Sequence, residues 1–151
     1  MTANPTNRRL AELQALIEGE DNLVGVLANL SAALHEMLST LWTGFYLVEG
    51  EELLLGPFQG PVACYRIKKG RGVCGTAWDE SRPIIVPDVE QFPGHIACSS
   101  RSRSEIVVPI YGKSGRVAGV IDIDDEKPGR FNMADLRLLE GVAEMLRPYF
   151  D

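Results

Sequence analysis

A chain of 151 residues, 45% hydrophobic and 24% charged, has the balance of one globular domain and excludes fibrous, disordered and membrane-embedded classes. Its formal net charge is −6, and its basic residues are scattered apart from the Arg101-Ser102-Arg103 step, so no stripe exists to track a phosphate backbone and nucleic acid is not an expected partner. No run approaches the roughly 20 apolar residues that span a bilayer, and the opening MTANPTNRRLAELQ has no apolar signal core, so the expectation is a cytoplasmic protein with no membrane partner.

Thr6 can cap a first helix whose Leu10, Leu13, Leu16 and Ile17 share a face, with Gly19 as its stop. Asp21 opens a second, in which Leu23, Val26, Leu27, Leu30, Leu34, Met37 and Leu38 recur at helical spacing. The period then changes. Trp42 to Val48 reads as a strand, turning at Glu49-Gly50 into a partner at Glu52 to Leu55. Cys64 to Ile67 reads as a short strand, Gly72 to Glu80 as a loop and short helix, and Ile84 to Val86 as a strand ended by Pro87. Asp88 to Ser104 is a long turn-rich stretch without a period, a length at which loops usually carry function. Ile106 to Tyr111 and Arg116 to Asp124 form an antiparallel hairpin, and Asn132 caps a closing helix with Asp135 three residues on. The order predicts an α+β domain over residues 1–151, with helices packed together on one face of a mostly antiparallel sheet of about five or six strands. The apolar helices could also pair two copies as a homodimer; periodicity leaves both arrangements open.

A chain this long buries about 68–70% of its unfolded surface, so no metal or disulfide is needed to hold a core, and its three cysteines are free for chemistry. In a reducing compartment any bridge among them is more often transient than structural. Cys64, Cys74 and Cys98 admit three interpretations. They could be small buried hydrophobes. With His95 three before Cys98 they could close a zinc site, although no close C-x-x-C pair is present. They could be a redox set in which one thiolate attacks an oxidised sulfur and a second thiol condenses with the sulfenic acid. Cys98 is then the attacker, in a polar loop beside Arg101 and Arg103, whose charge lowers a thiol pKa. Cys64 and Cys74, near ordered elements, are the candidates to resolve it.

Glu105 immediately precedes one strand of the C-terminal hairpin, while Asp122 and Asp124 are two apart on the other and share a face. Acids at strand ends are commonly just solvated. Two same-face aspartates in an apolar stretch, however, must each reach solvent, a donor or a cation, and three converging acids suit an ammonium group. Trp42 and Trp78 are ordinarily core residues, but Trp42 at a strand start can wall a pocket with a face that accepts a methyl or a cation.

WTGFYL at 42–47, GVCGTAW at 72–78, IIVPDV at 84–89, FPGHIAC at 92–98, SEIVVPI at 104–110 and GVIDID at 119–124 together resemble the free methionine-(R)-sulfoxide reductases, which are stand-alone GAF-domain enzymes. The resemblance runs from around Glu20 to the C-terminus. It implies a GAF-like antiparallel sheet and a thiol enzyme acting on free methionine sulfoxide, with the R preference resting on the resemblance alone. Cys98 matches the catalytic cysteine, and Cys64 and Cys74 match the two that form the intramolecular disulfide and relay reduction; which resolves first stays open. Glu105, Asp122 and Asp124 match the acids that contact substrate, and Trp42 the residue against which the methyl rests. No cofactor and no metal are expected, and thioredoxin is the expected reductant. The main competing expectation is a non-catalytic GAF module that binds a small ligand, since one fold hosts many functions.

Overall fold

The most continuous apolar stripe in the chain, Val26, Leu27, Leu30, Leu34 and Leu38, lies on a 16-residue helix, α2 (Leu23–Leu38), and is buried along its length. The computed structural model describes residues 4–95 and 100–151. Before α2 comes α1 (Pro5–Ile17). It starts two residues earlier than expected: Asn4, not Thr6, is the cap, its side chain accepting from the Thr6 backbone N–H at 2.8 Å, and Pro5 takes the first turn, where its missing N–H costs nothing. Likewise Asn22, not Asp21, caps α2 by accepting from the Gly25 N–H. The closing helix α4 (Met133–Leu146) begins as expected, with a reciprocal box in which the Asn132 side chain accepts from Asp135 N–H and the Asp135 carboxylate accepts from Asn132 N–H.

Between them the chain lays down β1 (Trp42–Glu49), β2 (Glu52–Gln59), β3 (Arg66–Lys68), helix α3 (Gly72–Glu80), β4 (Ile84–Val86), β5 (Ser104–Tyr111) and β6 (Val117–Asp125). The strands form one sheet in the order β3-β2-β1-β6-β5-β4, and all paired neighbours are antiparallel. β2 runs four residues beyond the expected Leu55. A register shift opposite Gly44 to Tyr46 inserts an extra residue around Pro57, which can donate no ladder hydrogen bond, and the strand continues past it as a bulge. Cys64, expected on a strand, instead lies in the connector from β2 to β3.

Period-2 alternation divides the core. Ile106, Val108 and Ile110 of β5 and Ile121 and Ile123 of β6 join Phe45 and the apolar stripes of α1, α2 and α4 on one face. Val107, Val120, Trp42 and Tyr46 turn to the other, where they meet Val73, Cys74, Ala77 and Trp78 of α3. The expectation of helices together on one face therefore holds for three of the four; α3, all of Gly72–Glu80 rather than part of it, covers the opposite face. A fully buried residue such as Leu30 contributes about 1.5–3 kcal/mol from burial alone. None of the described helices is long and apolar enough to cross a membrane.

Candidate active site

The sheet register assembles the site on the face that α3 covers. Trp42 on β1 lies opposite Asp124 on β6, and Asp124 lies opposite Glu105 on β5, so one row across three strands runs tryptophan, aspartate, glutamate. Asp122 stands in the next row, between Gly44 and Val107, and is thus diagonal to Glu105 on the same face. Glu105 does not precede its strand, as expected from the sequence, but sits inside it; Ser104 already pairs with Asp125. That shift matters chemically, because Glu105 and Asp122 are only 6% and 5% exposed.

Gly44 makes room for this arrangement. A Cβ there would strike Phe58 Cβ and would come within 2.7 Å of the Trp42 ring. The Trp42 ring lies flat on Phe58 at 5.1 Å and against Tyr46 at 6.0 Å, and its Nε1–H donates to the Pro61 carbonyl at 3.0 Å. The result is an aromatic wall beside the acids in a pocket also lined by Cys74 and His95.

Burial pushes Glu105 well above the ordinary glutamate value, and Asp122 and Asp124 push it further. Asp124 is raised in the same way, chiefly by burial and then by Asp122; Ser102, whose hydroxyl donates to Asp124 Oδ1 at 3.1 Å, opposes the rise. For Asp122 burial again raises the value, but hydrogen bonds from Glu105 and Cys74 and the charge of His95 counter it. Asp122 is therefore the acid that ionises first, while Glu105 and Asp124 both hold their protons more firmly. Asp122 Oδ1 is buried with no hydrogen-bond partner among the described residues, the state of an oxygen that awaits a donor.

These shifts set a pH dependence of stability. A carboxyl whose folded pKa is raised stabilises the fold fully below its unfolded value, 4.5 for glutamate and 3.8 for aspartate, and the contribution is lost as pH rises through the folded value. The ligand-free protein is expected to lose stability as pH rises above about 5, over the range in which each carboxyl is still protonated in the fold, by about 1.4 kcal/mol per pH unit per carboxyl. Glu105→Gln should flatten the slope. Denaturant midpoints measured across that range check it; a flat or rising profile in the wild type would exclude the raised values.

The three thiols differ in state. Cys64 is half-buried and disulfide-bonded. Cys74 is a free, buried thiol on α3 whose Sγ–H points to Glu105 Oε2 at 3.9 Å, and burial together with the acids raises its pKa well above the ordinary value, so it stays protonated. Cys98 lies outside the described residues. The two arginines expected to activate it both have acidic partners: Arg101 pairs with Glu126, and Arg103 lies 3.8 Å from Asp88. The zinc set of three thiols and His95 cannot form while Cys64 is in a disulfide. Cys74, Glu105 and Asp122 do place their ligand atoms within 4.8 Å of one another, but a cation there would have to displace the protons held by Cys74 and Glu105.

Two contributors escaped the sequence analysis. Tyr46 shares a face with Trp42 four residues earlier, so strand spacing alone could have found it; its hydroxyl donates to the Cys64 carbonyl at 2.9 Å. Ser102 carried no signal, since only the fold brings it to Asp124.

A GAF-type sheet with a buried acid cluster and an aromatic wall on one face defines the class, and the GAF domain family matches residues 20–146. Relatives narrow it. The chain is 54% identical over 138 residues to GAF domain-containing protein A of Dictyostelium discoideum, with 91% of this chain and 87% of the relative covered. It is 49% identical over 136 residues to the free methionine-R-sulfoxide reductase of Escherichia coli, with 89% and 82% covered. The crystal structure of the free methionine-R-sulfoxide reductase of Neisseria meningitidis in complex with its substrate superposes with a TM-score of 0.92 at 42% identity, covering 99% of this chain and 92% of that one. The chain belongs to the free methionine-R-sulfoxide reductases, a GAF-domain family.

Proposed function

We propose that this protein reduces free L-methionine (R)-sulfoxide to methionine with the thiol of Cys98. The observation that carries the proposal is the cluster of buried Glu105 and Asp122 with half-buried Asp124 beside the Trp42 wall, with one Asp122 oxygen unpartnered among the described residues. A free amino acid supplies the missing donor as its ammonium, and its sulfoxide methyl fits an aromatic face. The names of the E. coli and N. meningitidis relatives point to the same substrate.

In the proposed first step the Cys98 thiolate attacks the sulfoxide sulfur while Glu105, kept protonated by its surroundings, donates a proton to the oxygen. The attack forms a sulfur–sulfur bond in a protonated adduct; that bond and the substrate S–O bond then break as the hydroxyl passes to the Cys98 sulfur, so methionine leaves and Cys98 becomes a sulfenic acid: the substrate sulfur gains the two electrons that the thiol sulfur loses. In the second step a resolving thiol attacks the sulfenic sulfur, a disulfide forms and water departs. Cys64 is the resolving partner favoured here, because it is held in a disulfide while Cys74 is a protonated, buried thiol. An external dithiol protein, thioredoxin, then reopens the bond, which places the enzyme in a compartment that keeps such dithiols reduced. No bound cofactor takes part.

A ligand-sensing GAF module would use the same pocket but would have no need of Cys64 in a disulfide. Consumption of NADPH through thioredoxin reductase, thioredoxin and free methionine (R)-sulfoxide separates the two. The wild type should turn over, and Glu105→Gln should lower kcat by about 10²-fold or more. Tight binding of the sulfoxide without NADPH consumption would establish the sensor instead.

A further inference from the structure

The connector from β2 to β3 carries Cys64: Ala63 and Cys64 rest against the core on the α3 side, while Val62 and Tyr65, which bracket them, are 87% and 82% exposed. Among the described residues, three hydrogen bonds tie its backbone to the strands, besides the disulfide at Cys64. Trp42 Nε1–H donates to the Pro61 carbonyl at one end, and the Leu55 N–H donates to the Tyr65 carbonyl at the other. Between them the Tyr46 hydroxyl donates to the carbonyl of Cys64 itself, at 2.9 Å. Tyr46 is 2% exposed, packed beside the Trp42 ring on β1, in the central part of the sheet, so its hydroxyl is a fixed point.

We propose that Tyr46 is a positioning residue for the resolving step: by holding the Cys64 carbonyl, it fixes where the Cys64 sulfur waits for the sulfenic acid. The inference rests on Cys64 being the resolving cysteine of the reductase proposed above. In that step the Cys64 thiolate forms a bond to the sulfenic sulfur of Cys98 as the S–O bond breaks. The hydroxide leaves and takes a proton to become water, the sulfenic sulfur is reduced and the Cys64 sulfur is oxidised. Disulfide formation tolerates only a narrow range of Cα separation and sulfur direction, so a connector free to wander loses rate in this step and not in the one before it.

The phenol does not serve as a proton donor in turnover. Burial first, and then the neighbouring acids, Asp122 foremost, hold its proton on far more firmly than in a free tyrosine. What it supplies is a fixed hydrogen bond.

Tyr46→Phe keeps the ring and removes the bond. With pre-reduced protein and one addition of free methionine (R)-sulfoxide, the rate of disulfide formation relative to that of methionine release should fall by about tenfold or more, the factor that about 1.4 kcal/mol of lost positioning gives. Sulfenic acid should accumulate and be trapped by dimedone. Tyr46→Phe placed in a Cys64→Ser protein should add nothing to the sulfenic acid already persisting there, a control that stands even if the single variant is less stable. Methionine release followed by disulfide formation at the wild-type rate would overturn the role of Tyr46 alone, as would equal slowing of both steps. No methionine release from the wild type would overturn the reductase proposal itself.

Discussion

Cys98→Ala should bring turnover of free methionine (R)-sulfoxide to background, a loss of at least about 10⁴-fold, because removing a covalent nucleophile leaves only what the pocket does by binding. The three cysteines are not expected to be equivalent in this test. Without Cys64 the first chemical step is intact, so Cys64→Ser should still release one methionine per chain before stalling as the sulfenic acid. Cys98→Ala should release none. Cys74 is the thiol whose substitution matters least for the attack, since its proton is held by burial and by the surrounding acids. NADPH-coupled turnover of the three variants, together with methionine released by each in the absence of reductant, reads the division of labour. A Cys98→Ala protein with full activity would remove the nucleophile from the account.

The second large effect concerns the substrate's nitrogen. Glu105 and Asp122 are almost fully buried, and Asp122 Oδ1 has no partner among the described residues. An ammonium satisfies it; an amide nitrogen, as in a peptide or in N-acetyl methionine sulfoxide, brings no charge and leaves a buried carboxylate unpaired. Sites built around a polar group reject the analogue that lacks it by about 10⁴-fold or more, far beyond what one methylene in an apolar pocket achieves. The N-acetyl compound is therefore expected to show kcat/KM lower by about 10⁴-fold, measured in the same coupled assay with the (R)-sulfoxide. Equal turnover of the two would show that the acids do not bind the ammonium.

Much of this site was legible in the sequence because strand geometry is simple. Asp122 and Asp124 are two apart, which puts them on one face of any strand, and the antiparallel hairpin brings Glu105 to them. Trp42 joins them only because β1 pairs with β6, a long-range choice that no local pattern contains. Similar limits explain the rest. Helix caps moved by one or two residues because Asn4 and Asn22 compete well with Thr6 and Asp21 for the same role, and only backbone geometry decides between them. The length of β2 was hidden because Gly56 and Pro57 read as a strand end, whereas the structure passes them as a bulge. Helix α3 was expected beside the other helices, yet its Val73, Ala77 and Trp78 face the side of the sheet that Val107 and Val120 leave uncovered. Cys64 and Cys74 differ in burial and bonding state, neither of which spacing carries.

The central claim is that the chain performs thiol chemistry on a free amino acid. It is tested most directly by mixing pre-reduced wild-type protein with excess free methionine (R)-sulfoxide, with no reductant present, and counting methionine formed per chain. The account predicts one methionine per chain, matched by the loss of two thiols, and none from the S epimer. Binding of the sulfoxide with no methionine formed, or methionine formed with all thiols intact, would contradict it.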